Sequence, residues 1–193
     1  MYLFVDTETT GLPKSFTAPL QEIDNWPRIV QLAWALHDDE GHSIDLKSDI
    51  IIPENFEIPE EAVKKHGITK EKALQVGIPI EHALKQLNKN IKKSSTIIAH
   101  NIDFDIPTIN AEFCRSSIKT SLLEKSTFCT MKSKEIISFC KISKPYGSGY
   151  KWPSLPELHR KLYNKTFDGE HDASKDVEAC AYCFFELKRR GVI

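Results

Sequence analysis

The chain has 193 residues, 40% of them hydrophobic and 27% charged, with a formal net charge of −1. That is enough material for one sizeable core, so a single domain over residues 1–193 is the economical expectation. The composition excludes a membrane-spanning protein, because no apolar run approaches ~20 residues, and it excludes a globally basic field of the kind that advertises nucleic-acid binding.

The first predicted element is a strand over 2–7, the apolar run Tyr2, Leu3, Phe4, Val5 leading into the acids Asp6 and Glu8 at its end. Side chains two apart on a strand share a face. Two carboxylates held together there repel, and at least one pKa rises unless a cation lies between them. Alone, such a pair also suits a solvated turn, which Thr9, Thr10, Gly11 and Pro13 would continue. The chain enters this strand at once, without the basic and apolar regions of a signal peptide, so a soluble cytoplasmic protein is expected.

Further strands are predicted over 28–37 and 42–52, then helices over 60–66, 70–76 and 80–92. Gly67 and Gly77 stop the first two, and Ile80, Ala83, Leu84, Leu87 and Ile91 give the third a helical stripe. A short strand over 96–99 runs into the polar turn His100–Asp105 and a helix over 106–115, with Pro107 accommodated in the first turn. Asp105 therefore reads as the N-cap or its neighbour, and capping alone would account for it. Strand-to-helix junctions are also where open α/β sheets present functional groups. Asp103 competes for such a role and is read as a solvated turn residue.

A strand over 127–129 precedes helices over 131–140, 155–163 and 173–190, and the segment 143–153, with Pro145, Gly147 and Gly149, reads as a flexible loop. In the last helix Val177, Cys180, Ala181, Phe184 and Leu187 mark the buried stripe, with Gly191 as the stop. Asp176 borders that stripe and should face the sheet, whereas His171 and Asp172 lie just before the helix. An ordinary ion pair for Asp176 and a plain loop histidine are the competing readings. Five cysteines, with no second pair to complete a zinc site beside Cys180 and Cys183, read as reduced thiols. Charge is unevenly spread: residues 1–61 hold 13 acids against 3 Lys or Arg, whereas residues 115–165 hold 11 Lys or Arg against 3 acids. The second segment is a basic flank that suits a phosphate backbone, or else a solvated loop-rich surface.

Together these clusters resemble the DEDDh 3′-to-5′ exonucleases, the family of the proofreading epsilon subunit, TREX-type exonucleases, RNase T and oligoribonuclease. The resemblance covers essentially the whole chain. Its first motif falls on Asp6-Thr7-Glu8-Thr9-Thr10-Gly11-Leu12, its second on His100, Asn101, Phe104 and Asp105, and its third on His171, Ala173 and Asp176. A histidine five residues before the last acid, with Asp172 and not tyrosine at four before, resembles the histidine subclass. Arg28–Leu32 and the run Lys151–Leu155, with Leu158 and Tyr163, extend the likeness.

The resemblance implies a ribonuclease H-like α/β fold, a mixed five-stranded sheet with helices on both faces. It also implies two divalent ions, Mg²⁺ or Mn²⁺, roughly 3.5–4 Å apart, clamping the attacking and leaving oxygens at phosphorus. Asp6 would bridge both ions, Glu8 and Asp176 would hold the nucleophile-side ion, and Asp105 the leaving-group-side ion. His171 would be the general base, since an imidazole accepts a proton near neutral pH. Thr9, Gly11, Leu12, His100, Asn101 and Phe104 would contact the substrate, although core packing is the expected main role of Phe104. The implied reaction releases nucleoside 5′-monophosphates from the 3′ end of nucleic acid, single-stranded DNA foremost. The alternatives are an exoribonuclease of the same family and a catalytically silent nucleic-acid-binding or polymerase-associated module. A DNA polymerase partner and a monomeric or homodimeric state stay open.

Overall fold

The central strand is β1 (Tyr2–Thr9), antiparallel to β2 (Ile29–His37) on one edge and parallel to β4 (Thr96–Ala99) on the other. β3 (Ser43–Ile50) and β5 (Ser126–Cys129) complete the order β3-β2-β1-β4-β5, the mixed five-stranded sheet expected from the sequence. The computed structural model describes residues 1–193. Alternation along β1 divides the core: Leu3 and Val5 pack with α3 (Ile80–Lys93) and α4 (Ile102–Arg115), whereas Phe4 packs with α5 (Lys134–Cys140), α6 (Leu155–Tyr163) and α7 (Ala173–Arg189). β2 is buried along its whole length between the two layers, which explains its nearly unbroken apolar sequence, while the edge strand β3 is polar and largely exposed. In α3, Ala83, Leu84, Leu87 and Ile91 are fully buried, and truncating either leucine to alanine should cost roughly 2–5 kcal/mol.

Two short helices, α1 (Glu60–His66) and α2 (Lys70–Val76), cover a smaller cluster of Val30, Ile68 and Ala73. The turn out of α2 leaves room only for glycine at 77, where a Cβ would meet the Ala73 carbonyl oxygen at 2.3 Å.

Two helix starts differ from expectation. α4 begins at Ile102, four residues early, because Asn101 turns the chain with a φ of 101°. Asparagine tolerates that left-handed region better than most residues. Asp105 is consequently inside the first turn and not an N-cap, and Pro107 lies in the second turn. The proline removes a bond to the carbonyl of Asp103, a residue exposed enough for solvent to substitute. α5 starts at Lys134 and not at 131, because Ser133 caps it by accepting from the Ile136 amide. α6 carries a capping box formed by Ser154 and Glu157.

Beneath the site, the buried Glu112 of α4 accepts from Arg28 Nε at 2.8 Å, from Arg115 at 3.1 Å and from the Ile29 amide at 3.2 Å. Arg115 also donates to the carbonyls of Ile23 and Trp26, so this network ties the start of β2 to α4. No helix is long and apolar enough to cross a membrane.

Candidate active site

The parallel partner β4 pairs with only Tyr2, Leu3 and Phe4 of β1. Beyond that point β1 keeps β2 on one edge, and the other edge is open to the turn that leads into α4. This is the carboxyl end of two parallel strands, where open α/β sheets bind ligands. Asp6 and Glu8 project from the open stretch, and a register shift between Glu8 and Thr9 bends the strand just past them.

Asp105 reaches the same place from α4. It is 3% exposed, and its Oδ1 accepts from the Thr7 hydroxyl at 2.9 Å. Asp176 enters from α7, 9% exposed; its Oδ2 accepts from the His171 amide at 3.1 Å, while its buried Oδ1 has no hydrogen-bond partner. Ligand atoms of Glu8, His171 and Asp176 lie within 4.8 Å of one another. Asp6 and Asp105 lie outside that tight trio, but Asp6 is close enough to feel the charges of Glu8, Asp105 and Asp176, so the four acids and His171 share one strand end.

Burial raises the Asp6 carboxyl well above the ordinary range, reinforced by the charges of Asp105, Asp176, Glu8 and Asp172. Glu8 is pushed up to about 8, first by burial and then by Asp176, Asp105 and Asp172, with Lys65 acting weakly the other way. Asp105 is pushed up to about 7 by burial against the opposing Thr7 hydrogen bonds, and Asp176 to about 7 by burial above all. Four acids that burial and mutual repulsion hold back from ionising, one of them with an orphan oxygen, form an all-oxygen donor set whose chemistry fits a hard divalent cation.

A hydrogen-bonded frame positions the third motif. Gln31, the cross-strand partner of Glu8, donates to Asp172 Oδ1 at 3.0 Å and to Ser48 Oγ at 3.0 Å, and its Oε1 accepts from the Ala173 amide at 3.3 Å. Asp172 in turn caps α7 through the Ser174 amide at 3.0 Å. His171 itself is exposed and left-handed, with a φ of 68°, which turns the chain into the cap.

A cleft of about 540 Å³ opens beside these groups, lined among others by Thr9, Gly11, Leu12, Phe104 and His171. Thr9 Oγ1 donates to the Gly11 carbonyl at 2.7 Å and so shapes the turn. Gly11 has a φ of +150° with nothing within 4 Å of its Cβ position, a conformation that a side chain would strain and a space that a ligand can approach. Leu12 is 69% exposed on the rim. Phe104 belongs to neither large core cluster and faces the cleft instead, which corrects the core role expected for it.

His100 does not line this cleft. Burial lowers its pKa to about 4, leaving a neutral ring whose Nε2–H donates to the Pro153 carbonyl at 3.1 Å and whose Nδ1 accepts from the Thr130 hydroxyl at 2.9 Å. It braces the loop before α6, outside the cleft that Thr9, Gly11, Leu12 and Phe104 line. Asn101 lines a neighbouring cleft. Sequence reasoning missed His66 and Lys65 of α1, which line the far wall. Their only local signal is a position before the helix-stopping Gly67, which says nothing about a site.

Residues 3–184 match the RNase T family model, described as Exonuclease. No curated protein matches the sequence. Among solved structures, E. coli Exonuclease I in complex with a dT13 oligonucleotide superposes with a TM-score of 0.78 at 20% identity, covering 98% of this chain and 41% of that one. The zinc-ion-bound form of the E. coli ExoI–ssDNA complex gives 0.75 at 21% identity over 98% and 40%. The chain therefore spans about two-fifths of the length of these proteins, and what it shares with them is the fold.

Proposed function

The chain belongs to the exonuclease family, and from that membership we propose that it removes nucleoside 5′-monophosphates from the 3′ end of single-stranded nucleic acid, DNA foremost. The observation that carries this reading is the grouping of Glu8, His171 and Asp176 within 4.8 Å, beside Asp6 and Asp105 whose charges act on the same acids, with the Asp176 Oδ1 lacking any partner of its own. Divalent cations held by these four acids, Mg²⁺ or Mn²⁺ by the oxygen character of the set, would neutralise the acids and polarise the attacked phosphate.

The chain's own residues supply the rest. His171, within reach of Glu8 and Asp176, accepts the proton of the attacking water. As the new P–O bond forms, the bond from phosphorus to the 3′-oxygen of the preceding nucleotide breaks, and that oxygen takes up a proton from solvent. Asp176 fixes His171 through the backbone amide, and Gln31 fixes the cap that carries both. Gly11 lets a nucleotide approach the backbone, while Leu12 and Phe104 offer apolar faces to the terminal base, a contact that tolerates any sequence. The oligonucleotide in the Exonuclease I complex supports a single strand as substrate.

Incubating single-stranded DNA labelled at the 5′ end with Mg²⁺ tests this. We expect a ladder shortened progressively from the 3′ end, absent in EDTA and absent with Asp6→Ala. An undegraded strand under every divalent metal would leave a binding module instead. A matched RNA strand reports the sugar preference, which depends on contacts to the 2′-hydroxyl.

A further inference from the structure

The N-terminal turn of α4 separates the cleft of the site from a second one of about 590 Å³, walled by Phe16, Trp26, Pro107, Met131, Lys132 and Trp152. The two clefts share both the loop after β1, which gives Gly11 and Leu12 to one and Phe16 to the other, and the start of α4, which gives Phe104 to one and Asn101 and Asp103 to the other. A strand whose 3′ end lies at the acids therefore has a direct course over α4 into the second cleft.

Its surface chemistry suits unpaired bases. Phe16 and Trp152 come from distant segments, yet both face this cleft, 53% and 56% exposed. The Trp152 loop is not free: His100, bonded to the Pro153 carbonyl, anchors it to the turn that leads into α4. Lys132 Nζ stands 5.1 Å from the Trp152 ring centroid and 2.7 Å from Asp103 Oδ2, so the one acid lining the cleft is already neutralised. Residues 131–152 hold five lysines; Lys132, which lines the cleft, pairs with Asp103 and Lys151 pairs with Glu157 at 2.6 Å, whereas Lys134, Lys141 and Lys144 form no ion pair. Aromatic platforms flanked by cations are how proteins grip single strands without reading sequence.

We propose that this second cleft binds the nucleotides immediately 5′ of the scissile one, Phe16 and Trp152 stacking on their bases and Lys132 standing beside the Trp152 platform. The inference rests on the exonuclease reading, which sets the direction of the strand. It assigns the brace histidine His100 a purpose as well: the residue expected to touch substrate instead holds the stacking platform in register with the site.

The test uses the full chain and two readouts. Binding of a fluorescent single-stranded dT decamer is followed by anisotropy with Ca²⁺ present, for the native chain, Trp152→Ala, Phe16→Ala and Trp152→Phe. Turnover with Mg²⁺ is compared between that decamer and thymidine 5′-monophosphate p-nitrophenyl ester, which has no upstream nucleotide. Each alanine variant should weaken decamer binding and lower the decamer-to-ester ratio of kcat/KM by about tenfold, whereas Trp152→Phe keeps most of both. If the native chain cleaves both substrates but the alanine variants change neither readout, the second cleft is overturned and the exonuclease stands. If binding falls with the alanine variants while the native chain cleaves nothing, the cleft stands and the exonuclease fails. A change of oligomeric state in Trp152→Ala, with unchanged decamer affinity, would make the cleft a protein interface and overturn the proposal.

Discussion

The two halves of the site are built differently. Asp6, Glu8 and Asp105 sit on regular elements: a central strand paired by β2, and a helix whose Asp105 is buried and held by Thr7. His171 sits on a loop, exposed and left-handed, tied to the site by its own backbone amide on Asp176. The contrast fits the roles proposed for the two groups. Repelling acids stay together only if a rigid frame forces them to, whereas a base that takes up and releases a proton needs contact with solvent. In the proposed mechanism the ligands stand on regular elements and the base on the loop.

Breaking the rigid half should have the largest effect. Asp6→Ala removes an acid on which the charges of the other three all act, and turnover on single-stranded DNA should fall by about 10³-fold or more, the scale of losing several kcal/mol of charge stabilisation. His171→Ala should cost about 10²- to 10⁴-fold in kcat while leaving divalent-ion binding close to native. Equal loss of metal binding in both variants would erase the distinction between the halves. Gln31→Ala probes the seam, since Gln31 joins the strand of Glu8 to the cap of α7. About a tenfold drop in activity is expected, as for other groups that orient a ligand without being one. Native-like kinetics would mean that α7 holds its place unaided.

The acids also set a pH dependence. Burial, with mutual repulsion, keeps the Glu8 carboxyl up at about 8 and those of Asp105 and Asp176 at about 7. Between the ordinary carboxylate range and those values the folded, metal-free chain binds more protons than the unfolded one. Its stability should therefore fall as pH rises through that window. Urea unfolding in EDTA at about pH 5.5 and about pH 8.5 should show the loss, Asp6→Asn should reduce it, and saturating Mg²⁺ should largely cancel it. Stability in EDTA that rises with pH across the window would contradict the picture of acids crowded beyond tolerance.

Much of this was legible in the sequence. The period-two run of β1, the unbroken apolar β2 and the helical stripe of α3 place the sheet and its layers, because burial pattern and periodicity are local properties. The five candidate groups were named from residue type and order, and the fold brings them to one end of β1. What was not legible depends on contacts distant in the chain. His100 looks functional beside Asn101, and only Thr130 and Pro153 reveal it as a brace. Phe104 is expected to pack in the core, yet it lies in the first turn of α4 and lines the cleft. Gln31 reads as one more strand residue until Asp172 and Ala173 arrive beside it. His66 reaches the cleft because α1 folds over the end of the sheet, an event that nothing near residue 66 announces.

The central claim is that crowded acids at the end of β1 form a cation site. Titrating the metal-free chain with Mn²⁺, and following free ion by electron paramagnetic resonance, tests it most directly. Saturable uptake by the native chain, lost in Asp6→Asn and kept in His171→Ala, is the predicted result. Native chain and Asp6→Asn taking up Mn²⁺ identically would contradict the claim.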